Sequence, residues 1–199
     1  SKTFGSVIHR LKMPNVGDEL HHFGWNSCSS CHGKDGEHRR FMVLPGIASS
    51  RIHIVDTADP KAPKIHKIIE PKELLKKANL SAPHTVHCLA DGNIMISCLG
   101  DAKGDGPGGF VLINDKFEVQ GRWETDLAGM KYNYDFWYQP RHNVMVSSEW
   151  GSPKTVSQGF KLEDVKAGKY GQQIHFWDWK EKKIIESLDL GETGMIPLE

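Results

Sequence analysis

The sequence has little of several things that would narrow its role at once. It carries no net charge, since 25 basic side chains balance 25 acidic ones, so bulk electrostatics favours neither a polyanion nor an anionic membrane as partner. Its four cysteines, Cys28, Cys31, Cys88 and Cys98, are too few for a disulfide scaffold and point to a reducing compartment. The opening SKTFGSVIHRLKMP lacks the continuous apolar stretch of a leader peptide. No run approaches the roughly 18 apolar residues that a membrane span needs. The expected location is the cytosol, with the nucleus or a peripheral membrane association as alternatives. The Asn-Leu-Ser triplet at Asn79 is read as incidental without a secretion signal.

What is present is a chain of short extended runs. Twenty glycines and six tryptophans in 199 residues suit many strands joined by tight turns better than a helical bundle. VIHRL at 7–11 reads as an outer strand. FMVLPGIAS and SRIHIVDT flank a Pro45-Gly46 turn, and KIHKII follows DPKAP as the partner in a hairpin. Lys72 to Asn79, just after Pro71, is the best helix candidate of the first half. Asp91-Gly92 between HTVHCLA and NIMISCLG is the strongest hairpin signal in the chain. GFVLIND pairs with FEVQGRWE, Pro140 marks a turn inside YDFWYQPRHNVMVSSEW, and QIHFWDW pairs with KIIESLDL. The excursion at 151–171 carries a helical turn around 162–167.

Three hairpins share a pattern in which Asp56, Asn114 and Asp178 each follow a strand, at spacings of 58 and 64 residues. With the strand pairs upstream, four antiparallel strands recur per unit, the composition of a propeller blade. The predicted class is therefore all-β, a partial β-propeller over 1–199 with units near 1–70, 71–125 and 126–190. Three to four blades fall short of a closed ring, so the chain reads as part of a longer propeller. An open or two-layered antiparallel sheet of about ten strands is the alternative.

Chemistry concentrates in three polar knots: DELHHFGWNSCSSCH from Asp18 to His32, PHTVHC from Pro83 to Cys88, and QPRHN from Gln139 to Asn143. In an extended segment the adjacent His21 and His22 would face opposite ways, so one of them would enter a site. Pro83 is expected to end a loop with the strand starting near Thr85, which lets His84 and His87 converge at the strand entrance. Imidazoles from His22, His84, His87 and His142 would form a nitrogen-rich site suited to Cu, Zn, Fe or Ni, with Asp18 or Glu19 orienting a ring. Each histidine taken singly is more often structural than liganding.

Cys28-Ser-Ser-Cys31 is a lone C-x-x-C. It reads as two loop thiols, as part of a zinc site with a nearby histidine, or as a redox pair. Cys88 and Cys98 sit in apolar runs and belong to the core. DAKGDGPGG at 101–109 matches neither phosphate-binding glycine pattern and reads as a loop making close approaches. The aromatic series from Trp123 to Tyr138 lacks the interleaved basic residues of a nucleic-acid platform and fills interfaces between sheets. His175, Trp177 and Trp179 alternate onto one packed face.

Six stretches, IHRLKMPNVGDELHHFGWNSCSSC, SSRIHIVDT, HTVHCLADGNIMISCLGD, GPGGFVLIND, YDFWYQPRHNVMVSSEWG and GMIPLE, closely resemble the selenium-binding protein family, whose members include methanethiol oxidases. The resemblance spans practically the whole sequence. It implies a seven-bladed propeller of roughly twice this length or more, of which this chain is an internal portion. It further implies an enzyme that oxidises methanethiol with dioxygen and water to formaldehyde, hydrogen sulfide and hydrogen peroxide in a copper-dependent reaction. The family's shared histidines fall on His21, His22, His84, His87 and His142 as copper-ligand candidates, with His22, His84 and His87 closest to the chemistry. Cys28 and Cys31 match as redox or secondary metal candidates. The family's selenium-associated cysteine and further histidines fall outside this sequence. The alternative that the resemblance offers is a selenium- or metal-binding interaction protein of intracellular protein transport, without catalysis.

Overall fold

The computed structural model describes residues 4–28 and 39–198. Most of that chain is β, folded as three four-stranded antiparallel sheets, each built from consecutive strands in sequence order. The first holds β1 (Gly24–Trp25), β2 (Phe41–Pro45), β3 (Ile52–Asp56) and β4 (Lys64–Ile69). The second holds β5 (Leu80–Cys88), β6 (Ile94–Asp101), β7 (Gly109–Ile113) and β8 (Val119–Arg122). The third holds β9 (Phe136–Gln139), β10 (Val144–Ser148), β11 (Gln173–Asp178) and β12 (Lys183–Asp189).

Local chemistry accounts for the connections. Gly92 takes φ +90° in the β5–β6 turn, a conformation that a residue without Cβ adopts at no steric cost, and Leu89 N–H donates to Asn93 O at 2.8 Å. Helix α1 (Pro71–Ala78) begins with proline, whose fixed φ suits the first turn and whose missing N–H is not needed there. It stops at Asn79, left-handed at φ 53°, with its N–H on Leu75 O at 3.1 Å. Leu74 and Ala78 are buried on the face that meets β5 and β8.

The sheets stack face to face in chain order. Alternate residues of each strand divide between two interfaces, as the two-residue period requires. Val43, Ile52, Ile54 and Ile69 of the first sheet meet Ile94, Ile96, Val111 and Ile113 of the second. From the opposite face of the second sheet, Met95 and Phe110 meet Phe136, Met145 and Trp177 of the third. A smaller apolar cluster, Ala82, Leu99 and Tyr134 with Ile47, Trp150 and Val156 against it, closes one end. Gly24 lets the first two sheets approach closely: a Cβ there would lie 2.6 Å from the Val86 carbonyl oxygen.

Four local expectations change. VIHRL forms no strand: Val7 and Ile8 remain 65% and 59% exposed, and among the described residues the segment has no partner strand to satisfy its backbone. The strand expected from Thr85 starts at Leu80 and carries Pro83 within it, tolerated because the β5–β6 register shifts between Pro83 and Val86. The excursion at 151–171 contains two short helices, α2 (Pro153–Val156) and α3 (Leu162–Lys166), where one helical turn was expected. Trp137 stands 71% exposed rather than filling an interface.

Candidate metal centre

Two of the histidines arrive on an irregular segment, residues 18–22, that is fastened to the first sheet before β1 begins. Leu20 forms an isolated bridge with Gly46, and Ile47 N–H donates to Glu19 O at 3.0 Å. The deeper anchor is Asp18, whose side chain is 1% exposed. One of its oxygens accepts from His53 Nε2 at 2.9 Å and the other from Arg51 Nη1 at 3.3 Å. Burial works to raise the Asp18 pKa, but hydrogen bonds from Ser49 and His53 and the charges of His53 and Arg51 outweigh it, so the carboxyl lies below its ordinary value. Arg51 also donates to Glu70 at 3.2 Å, tying the anchor to the start of α1.

The third histidine comes from the irregular part of β5. His84 is fully buried. Its Nδ1 is hydrogen-bonded to Thr85 Oγ1 at 2.9 Å. Thr85 N–H in turn donates to Ser97 Oγ at 3.0 Å, and Ser97 Oγ donates to Tyr134 O at 2.6 Å. When Nδ1 carries the ring proton, Nε2 keeps its lone pair, and this buried nitrogen has no hydrogen-bond partner among the described residues. Burial, together with the nearby charges of His22 and His21, pushes the His84 pKa down to about 3, so the ring is neutral at physiological pH. Tyr134 lies against it with ring centroids 4.1 Å apart, and Trp150 lies 5.0 Å beyond Tyr134.

These pieces converge. One ligand atom each from His21, His22 and His84 lies within 4.8 Å of the others. The His22 and His84 ring centroids are 4.0 Å apart, those of His21 and His84 5.1 Å, and those of His21 and His22 5.3 Å with an 18° interplanar angle. Both adjacent histidines thus enter the site, because residues 18–22 are not an extended strand and do not alternate sides. Glu19 Oε1 meets His21 Nδ1 at 3.2 Å, which leaves Nε2 as the nitrogen available to an ion. The arrangement fits a metal: three neutral-capable imidazoles, one with an orphaned buried nitrogen, form a donor set suited to Cu, Zn, Fe or Ni.

The other candidates stand apart from this set. His87 donates from Nε2 to Phe136 O at 3.2 Å and packs edge-on against Phe136, Trp137 and Tyr138. Burial lowers its pKa, opposed by the Phe136 carbonyl and the charge of Asp135. His142 is exposed on the turn Pro140–His142 past the end of β9. Cys28 is half-buried, and Cys31 lies outside the described residues. Cys88 and Cys98 are buried, and burial pushes the Cys98 pKa far up.

Pattern reading alone did not reveal the Asp18–His53 anchor or the Tyr134 backing of His84. Asp18 lies 35 residues from His53, and no local period links them. The one available signal was His53 itself, a titratable residue in the middle of the apolar run IHIV.

A mostly β chain of three four-stranded sheets, with three histidines gathered at one corner, defines a β protein with a candidate transition-metal centre. Comparison with known proteins sharpens this. The chain belongs to the 56kDa selenium binding protein (SBP56) family, whose model matches residues 1–199. It is 56% identical over 201 residues to a methanethiol oxidase of Danio rerio, covering 100% of this chain and 44% of the relative. It is 53% identical over 201 residues to selenium-binding protein 2 of Arabidopsis thaliana, covering 100% of this chain and 41% of the relative. The X-ray structure of a hypothetical selenium-binding protein from Sulfolobus tokodaii superposes with a TM-score of 0.91 at 48% identity, over 96% of this chain and 43% of that one. The chain therefore spans less than half the length of these relatives.

Proposed function

We propose that this chain is the metal-carrying portion of a copper-dependent methanethiol oxidase, its three sheets being three blades of a seven-bladed propeller. The observation that carries the reading is the convergence of His21, His22 and His84 around the orphaned Nε2 of His84. Support comes from the relatives named methanethiol oxidase at 55% and 56% identity.

In this reading His21, His22 and His84 hold the copper. When bound, it supplies the one-electron chemistry through which dioxygen, otherwise sluggish toward a closed-shell thiol, can be reduced. The overall change balances: methanethiol, dioxygen and water give formaldehyde, hydrogen sulfide and hydrogen peroxide. The carbon loses two electrons and dioxygen gains two, water supplies the aldehyde oxygen, and the carbon–sulfur bond breaks. The protein's part is preorganisation. Thr85 fixes the His84 ring direction, the Glu19 carboxylate holds the His21 ring by its Nδ1, and the Asp18–His53–Arg51 clamp holds the segment bearing His21 and His22. Tyr134 and Leu99 keep water from the back of the site. His87 shapes the neighbouring wall through Phe136 rather than binding the ion, and His142 takes no part. Cys28 and Cys31 are assigned to metal delivery or redox support, and the cytosol is the proposed location.

The test uses the full-length protein. Metal content by mass spectrometry and methanethiol consumption with hydrogen sulfide release are measured for wild type and for His22→Ala and His84→Ala. Stoichiometric copper and turnover, both lost at least tenfold in the folded variants, are expected. Full activity without copper, or in His84→Ala, would overturn the assignment. A second reading, a selenium- or metal-carrying interaction protein, is favoured by the Arabidopsis relatives named selenium-binding proteins. It requires no methanethiol consumption and retention of cargo when the histidines are replaced.

A further inference from the structure

Beside the three histidines lies a cavity of about 320 Å³. His21 and Glu19 stand at one side of it, and its walls come from three separate parts of the chain. Ile47 and Ala48 arrive from the turn after β2, Ala82 and Leu99 from the second sheet, and Trp150 and Val156 from the segment that runs from the end of β10 through α2. Behind the Trp150 wall, Tyr134 packs between Trp150 and His84. The two acidic and basic groups at the cavity are already engaged: Glu19 meets His21 at 3.2 Å, and Lys154 meets Asp105 at 2.9 Å. What remains to receive a ligand is apolar surface ending at an imidazole.

Size decides what fits. A dry apolar cavity of about 150 Å³ is enough to bind benzene. This one has roughly twice that volume, so a one-carbon thiol would leave most of it without contacts and forfeit the burial energy that the walls offer. We propose that the cavity binds the apolar substituent of primary thiols larger than methanethiol, an aryl or branched alkyl group of about six to eight carbons, with the sulfur at the His21 end. The inference rests on the oxidase reading for the direction of the sulfur. Oxidation to an aldehyde requires a hydrogen on the sulfur-bearing carbon, so the class is R–CH2–SH. With dioxygen and water it gives R–CHO, hydrogen sulfide and hydrogen peroxide, with the same two-electron balance as for methanethiol.

The experiment uses the full-length protein stripped of metal and a redox-inert probe, phenylmethanol, titrated by calorimetry. Saturable binding is expected, weakened at least tenfold by Val156→Trp, which fills the cavity from α2. Ala48→Trp, at an exposed rim position, covers the mouth without touching the core. It gives the same loss of probe binding and decides the matter if Val156→Trp does not fold. On the metal-loaded protein, phenylmethanethiol should yield benzaldehyde and 2-methylpropane-2-thiol, which has no such hydrogen, no aldehyde or ketone. Absence of probe binding, or binding unaltered in the folded variants, overturns the inference even where copper is bound and methanethiol consumed. Variant-sensitive probe binding in a protein that takes up no transition metal supports the cavity as an apolar-ligand site while removing the oxidase reading.

Discussion

Two buried histidines, His84 and His175, stand in opposite chemical situations. Both are at most 1% exposed, His84 on the edge strand β5 of its sheet and His175 on the inner strand β11. His175 has each ring nitrogen satisfied, Nδ1 by Ser187 Oγ at 2.7 Å and Nε2 by Glu149 Oε1 at 3.1 Å. Glu149 is itself buried and also accepts the Lys131 and Tyr132 N–H groups at 3.2 and 3.3 Å. His84 has one nitrogen satisfied by Thr85 and the other bare, facing two more imidazoles. His53 lies between these cases, with Nε2 on Asp18 and, among the described residues, Nδ1 without a partner and no further ligands gathered around it. Burial alone therefore does not separate a structural histidine from a ligand. What separates them is an unsatisfied nitrogen together with other donors converging on it.

The sharpest break between the two corners is expected from Glu149→Ala. It strips His175 and two backbone N–H groups of a buried acceptor, and should cost about 3 kcal/mol in urea denaturation while copper binding by the folded protein stays as in wild type. A parallel loss of copper affinity would mean that the corners are coupled. Thr85→Val acts the other way round. Removing the Nδ1 partner of His84 should weaken copper about tenfold in a competition titration with a chromophoric chelator, with a stability change of about 1 kcal/mol; unchanged affinity would show that the Thr85 bond does not set the ring.

Glu19→Gln comes next. Its contact with His21 is solvent-exposed, with side-chain exposures of 62% and 42%, so the same titration should show only about a threefold loss. The smallest effect belongs to a pair outside both corners. Arg40 holds Asp56 at a pKa of about 2, mainly through its hydrogen bond, against an ordinary value of 3.8. A depressed folded-state value contributes stability that is present above 3.8 and fades as pH falls through about 2. Asp56→Asn should accordingly converge with wild type in thermal unfolding over that acid window and differ from it slightly at neutral pH. A difference that grows as the pH falls would reverse the sign.

The sheets were largely legible in the sequence because their signals are local. Asp91-Gly92, the alternation in IHIV and QIHFWD, and Pro71 at a helix start each act over a few residues, and each element formed where those signals lay. VIHRL misled because apolar residues mark a strand only where a neighbouring strand accepts its backbone bonds. The candidate site was legible as a set of residue types, and less so as a geometry. That His22 and His84 meet was anticipated from the polar knots that carry them. That His21 joins them depends on an irregular segment pinned by Asp18, His53 and Arg51, and contacts so distant along the chain leave no period to read. His87, three residues from His84, was drawn away by the register shift in β5 and the Phe136 carbonyl.

Gly24 follows His22 by two residues and Val86 follows His84 by two, and these two backbones nearly touch. The missing side chain thus works as a spacer of zero thickness between the arms of a calliper whose jaws are imidazoles. Even a single methyl at Gly24 would pry the jaws open and misgauge the distance at which they grip, leaving every nitrogen donor chemically intact.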